Sequence, residues 1–159
     1  MKIGDNFSLY EFEESQVATR YGYDNSIPKK YIPNVRKLVK SILQPLRDEL
    51  ESPLHISSGY RSAKVNVKVK GSKNSAHLKA LAADIWTPKL SPRELTQLIV
   101  DLDLPYDTVI HEFGKWTHVA CSEAKKKPRK RILTAHKIGN NVTRYANGNL
   151  EVDENRRLA

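Results

Sequence analysis

Apolar positions between Pro33 and Glu51 repeat at three- and four-residue intervals: Val35, Leu38, Val39, Ile42, Leu43, Leu46 and Leu50. That spacing stacks side chains on one face of an α-helix. Pro45 lies inside the stripe. Its ring lacks an N–H and collides with the preceding turn, so a kink or split is expected there. A second helix is predicted after Ser91, because Ser91-Pro92-Arg93-Glu94 supplies an N-cap hydroxyl, a proline at the first helical position and a capping-box carboxylate. Leu95, Leu98, Ile99 and Leu102 form its apolar stripe. A short helix is expected around Leu9 to Arg20, in a first segment that is otherwise polar and irregular.

The β-like runs are shorter. Pro53 to Ser57 and Leu81 to Trp86 read as strands, the second closed by Pro88. Val109 to Glu112 and Trp116 to Ala120 flank Gly114, the pattern of a hairpin. Another hairpin is expected between Val142 and Val152, turning at Asn147-Gly148. Residues 63–76 are polar, Lys-rich and contain Gly71, with no element assigned. Helices segregated from antiparallel-looking strands predict an α+β fold, a small antiparallel sheet flanked by helices.

A length of 159 residues suits one domain and one core. Charged residues make up 28% and the mean hydropathy is −0.58, and no apolar run approaches the roughly 18 residues that cross a bilayer. The first residues, MKIGDNFSLYEFEES, have neither the basic start nor the apolar stretch of a signal peptide, so synthesis in the cytoplasm is expected. Cys121, the one cysteine, excludes an internal disulfide and thiolate-rich zinc fingers. Its apolar neighbours suggest a small buried residue at a strand end. The net charge of +9 calls for a polyanionic neighbour. Much of the excess lies in Lys125, Lys126, Lys127, Arg129, Lys130 and Arg131, a solvated segment with no interleaved aromatic residue for stacking bases. Nucleic acid is therefore a poor candidate partner, and anionic envelope polymers are a better one.

Of the five histidines, His77 and His118 stand in a pattern with chemical meaning. Asp84 follows His77 by seven residues into a predicted strand, and His118 lies on another predicted strand. Two imidazoles and a carboxylate meet the needs of a catalytic Zn²⁺, which keeps its fourth position for water. Spacing alone leaves an ordinary mixture of surface His and Asp equally open.

Ser58-Gly59-Tyr60-Arg61-Ser62, Ser75-Ala76-His77, Ala82-Ala83-Asp84 and Trp116-Thr117-His118-Val119 together resemble the M15 peptidases. These are zinc D-Ala-D-Ala carboxypeptidases and phage endolysins that share a fold with the hedgehog signalling domain. Phe7 to Arg20, Asp24 to Pro28, Leu43 to Arg47 and the stretch ending Arg131 to Ala135 are similar to the short phage and prophage branch. The resemblance implies a peptidase domain over residues 1–140, with its helical region at 5–50, and a tail at 141–159 that includes a short hairpin. It implies Zn²⁺ held by His77, Asp84 and His118, and bacterial peptidoglycan as the partner of a monomer acting at the cell wall or carried in a virion.

Ala80 stands where the family usually has Gly. The position three residues before the last ligand, an acid in some dipeptidases, is Lys115 here, and the hedgehog-like arrangement points instead to Glu112 as general base. A strand-end carboxylate paired with Lys115 or another surface cation is the competing role for Glu112. Arg61 is implied in binding substrate and stabilising the oxyanion, and Ser75 in binding substrate or orienting His77. Trp116 is expected to pack beside the metal or wall the substrate groove. Alongside hydrolysis, a zinc-binding but non-hydrolytic wall or virion module is the alternative.

Overall fold

The computed structural model describes residues 1–159. The seven apolar residues of the first stripe are each at most 2% exposed, and they anchor one core of packed side chains. They lie on a continuous helical run: α3 (Ile32–Leu38), a π turn (Val39–Leu43) and α4 (Gln44–Leu50). Pro45 neither breaks this run nor splits it. The turn before the proline widens, Gln44 N–H donates to Val39 O, and Ser41 Oγ back-bonds to Lys37 O at 2.6 Å. A π turn of this kind makes room for a ring that an α-helix rejects.

The expected N-terminal helix is two helices, α1 (Leu9–Glu13) and α2 (Gln16–Tyr21). Extended Glu14 separates them, and Ser15 caps the second by accepting from Ala18 N–H at 3.1 Å. A helix unassigned from the sequence, α5 (Ala63–Lys68), starts at Ser62, whose hydroxyl accepts from Val65 N–H. The capping box at Ser91 forms as predicted and opens α6 (Pro92–Asp101). None of these helices is long and apolar enough to cross a membrane.

Six strands make one sheet: β1 (His55–Ser58), β2 (Ala82–Trp86), β3 (Thr108–Glu112), β4 (Trp116–Ala120), β5 (Arg131–Ile138) and β6 (Val142–Asn147), in the order β1-β2-β4-β3-β5-β6. The fold is α+β, as expected, but the sheet is not wholly antiparallel, because β5 runs parallel to β3. The β3–β4 hairpin turns on Phe113 and Gly114, at φ 57° and 71°, and closes with Lys115 N–H donating to Glu112 O at 2.8 Å. The last hairpin is displaced from the expected position. Its turn is Gly139 to Asn141, with Gly139 and Asn141 at positive φ, whereas Asn147-Gly148 marks where the chain leaves β6.

Side chains alternate across a strand, and this alternation divides the sheet. Ala83, Ile85, Val109, Thr117 and Val119 are fully buried and face the core. Thr117 Oγ1 there meets Thr96 Oγ1 at 3.0 Å and donates to Pro92 O at 2.9 Å, tying α6 to β4. The opposite face carries Asp84, Glu112 and His118.

Candidate active site

Strand register assembles the centre. Asp84 on β2 lies opposite His118 on β4, and His118 lies opposite Ile110 on β3. One step further along the same face, Glu112 stands opposite Trp116. His77 reaches in from a 3₁₀ turn (Ala76–Lys79) just before β2. His118 Nδ1 is 3.0 Å and His77 Nε2 is 3.3 Å from Asp84 Oδ1. Ligand-capable atoms of the three residues all lie within 4.8 Å of one another.

The SGYR segment explains how His77 is held. Gly59 O lies 2.6 Å from His77 Nδ1, Arg61 N–H donates to His77 O at 3.1 Å, and Ser75 Oγ accepts from His77 N–H at 3.3 Å. With Nδ1 donating to Gly59, the Nε2 lone pair is directed to the cluster, and this atom is buried without a hydrogen-bond partner. A buried imidazole oriented by a carbonyl, with its other nitrogen unsatisfied, is the arrangement of a metal ligand. Two nitrogens and a carboxylate oxygen are a donor set suited to zinc. Burial works to raise the Asp84 carboxyl, but the two imidazoles beside it, His77 first and then His118, outweigh burial and hold Asp84 well below the usual carboxylate range.

Gly59 is required by close approach. A Cβ there would sit 2.7 Å from Phe12 Cα on α1, while Tyr60 N–H donates to Phe12 O at 2.8 Å. Asn25, in the segment Asp24 to Pro28, braces the same corner: its amide donates to Glu13 O and Tyr60 O and accepts from Ser62 N–H. Gly59→Ala is therefore expected to cost about 1–3 kcal/mol of stability in urea unfolding, and to weaken metal binding by moving the carbonyl that orients His77. Tyr60 itself is buried in the core. Ala80 ends the 3₁₀ turn at φ 57°, a conformation open to Gly without cost. The turn closes with Ala there nonetheless, its N–H donating to His77 O.

A polar groove of about 410 Å³ surrounds the cluster, and Arg61, Ser75, Glu112 and Trp116 all line it. Arg61 Nη2 is 3.5 Å from Asp84 Oδ2. Burial pushes the Glu112 carboxyl up to about 7; the positive charges of His118 and Arg61 oppose this, and Asp84 adds to it. Lys115 makes no ion pair with Glu112. Trp116 packs edge-on against Phe113, and its indole N–H is buried without an acceptor.

Sequence reasoning did not single out Tyr145, which also lines the groove. Glu112 pairs with Ala135 across β3–β5, and Ala135 pairs with Tyr145 across β5–β6. Period-two alternation within a correctly placed β6 is the signal that would have found it. Burial, with the charges of Glu112 and Asp84, holds its phenol above the ordinary value.

The remaining histidines lie elsewhere. His111 faces the core and its Nδ1 contacts Leu150 O at 2.9 Å, His136 is buried on β5, and His55 stacks on Trp86. Cys121 is 3% exposed, and burial pushes its thiol up to about 11, so it is no nucleophile. The basic segment is less uniformly free than its sequence suggests: Arg129 is paired with Asp107 and Lys130 with Asp103, both at 2.7 Å.

Two imidazoles and a carboxylate converging in a groove on one face of a mostly antiparallel sheet define a centre able to hold a divalent metal ion. A family model described as Peptidase M15 matches residues 5–120, and the chain belongs to that peptidase family. Among curated proteins, none matches it.

Proposed function

We propose that this peptidase is zinc-dependent and hydrolyses amide bonds in bacterial peptidoglycan, in stem peptides or cross-links, as a carboxypeptidase or endolysin of phage or prophage type. The supporting observation is the convergence of His77, Asp84 and His118 beside a carboxyl group, Glu112, poised to change protonation near neutral pH.

His77 Nε2, Asp84 Oδ1 and His118 Nδ1 are the atoms that would hold the metal. Bound zinc supplies Lewis acidity, making water acidic enough to lose a proton near neutral pH and polarising a carbonyl. Glu112 takes the proton of the attacking water and passes it to the amine as the C–N bond breaks. Arg61 holds a substrate carboxylate or carbonyl and offsets the charge that develops on oxygen. Ser75 keeps His77 in place, while Trp116 and Tyr145 wall the groove and restrict the approach of the peptide.

Incubating the purified protein with peptidoglycan, with and without chelator, tests this directly. Mass spectrometry should detect new amine and carboxyl ends that appear only when metal is present. Wall binding without any cleavage product would leave the non-hydrolytic zinc module in its place.

A further inference from the structure

The groove continues past the metal ligands. Ser75, Ala76, Asp107, Ala120 and Arg129 line both it and a second cavity of about 560 Å³. In that cavity, Lys73, Lys79, Lys126, Lys127 and Arg129 stand against only two carboxylates, Asp107 and Glu123. Lys79 and Lys126 share Glu123, at 3.0 and 3.7 Å, and Arg129 lies against Asp107. Lys73 and Lys127 are exposed and enter none of the ion pairs.

We propose that this second cavity is a substrate subsite that binds carboxylate groups of an acidic peptide whose scissile bond lies at the metal cluster. The inference rests on the groove taking a peptide, and names the chemistry of the part that extends away from the cut.

Its position sets the spacing. The cavity begins beside the cluster, at Ala76 and Leu78 on either side of His77, and runs on past Ala120 to Ser122; at roughly 3.3 Å per extended residue, Ala120 and Ser122 lie about 7–13 Å beyond His118. A carboxylate there sits about two to four residues from the cleaved bond. The charge pattern favours carboxylates over a phosphate polymer. Arg129, the side chain best suited to grip a phosphate with two parallel bonds, is already engaged by Asp107. Asp107 and Glu123 would repel a densely charged chain, whereas two unpaired ammonium groups match one or two monovalent anions.

Calorimetry on the full chain as purified would test this with two pentapeptides, identical except that one carries two glutamates and the other two glutamines. The wild-type protein should bind the glutamate peptide about tenfold more tightly at low salt, and the advantage should shrink as salt screens it. In the Lys73→Glu/Lys127→Glu variant that preference should vanish or reverse, with the glutamine peptide bound as before. Equal affinity of the wild-type protein for the two peptides overturns the proposal, and so does a preference that survives the double reversal. A short polyphosphate that displaces the acidic peptide through the same two lysines overturns it in favour of a phosphate polymer. Hydrolysis is not read, so a chain that binds the acidic peptide without cleaving peptidoglycan fails as a peptidase and keeps its subsite.

Discussion

Glu112→Gln will lower kcat on peptidoglycan by about 10²–10⁴-fold and leave the metal content unchanged. The side chain lines the groove on the same sheet face as His118, two residues along β3 from that ligand's cross-strand partner Ile110. It lies outside the His77, Asp84 and His118 cluster, so metal content measured by plasma emission should not respond. Gln keeps the shape and cannot take a proton. Burial has already moved the carboxyl up to about 7, where one group can both accept and return a proton. Wild-type turnover in this variant would place the base elsewhere.

The same substitution has a stability signature with a fixed sign. Folded Glu112 in the metal-free protein holds its proton up to about 7, while the unfolded chain releases it near the ordinary 4.5. Stability is therefore lost as pH rises through that window and stays lower above it. Metal-free Glu112→Gln protein should exceed the wild type by about 2 kcal/mol at pH 8, solvent around the partly exposed side chain reducing the full linkage value, and should match it near pH 4. Urea unfolding at the two pH values measures the difference.

The long helical stripe was legible because burial imposes a period that seven residues obey without exception, and the Ser91 cap because its chemistry is local. The three converging residues were legible for a different reason. Two lie on strands whose alternation can be read, and the motif around them names the third. Long-range pairing was not legible. Nothing within Arg131–Ile138 records that β5 lies parallel to β3, since that register depends on where the loop after Ala120 delivers it. The Asn147-Gly148 signal misled for a related reason. Such a dipeptide reports tolerance of positive φ, and Gly148 does adopt 95°, but Gly139 and Asn141 meet the same need where β5 and β6 join. With the hairpin misplaced, the face of Tyr145 could not be assigned, and a wall of the groove went unseen. Pairing of Arg129 and Lys130 with Asp107 and Asp103 was hidden in the same way, because partners more than 20 residues away leave no local mark.

His77→Ala should abolish both metal binding and hydrolysis, an outcome that would separate the proposed metal ligands from Glu112, whose replacement should spare the metal. Removing the imidazole deletes one of three donors and leaves Gly59 O without its partner. Loss of a group that merely orients a ligand weakens metal affinity by about 10–100-fold, so loss of the ligand itself should exceed that range. Metal at a thousand times its Kd stabilises a folded protein by about 4 kcal/mol, which for a chain of this size corresponds to about 10 °C in Tm. Chelator should thus lower the wild-type Tm by about that amount and leave His77→Ala unmoved. His118→Ala should behave alike, because its Nδ1 meets the same Asp84 oxygen. Ser75→Ala should keep most of the chelator response, since it removes only one bond to the His77 backbone. A His77→Ala protein that retains one equivalent of metal and its chelator-sensitive Tm would mean that the ion is held by other side chains, and the chemistry assigned to this groove would have to move with it.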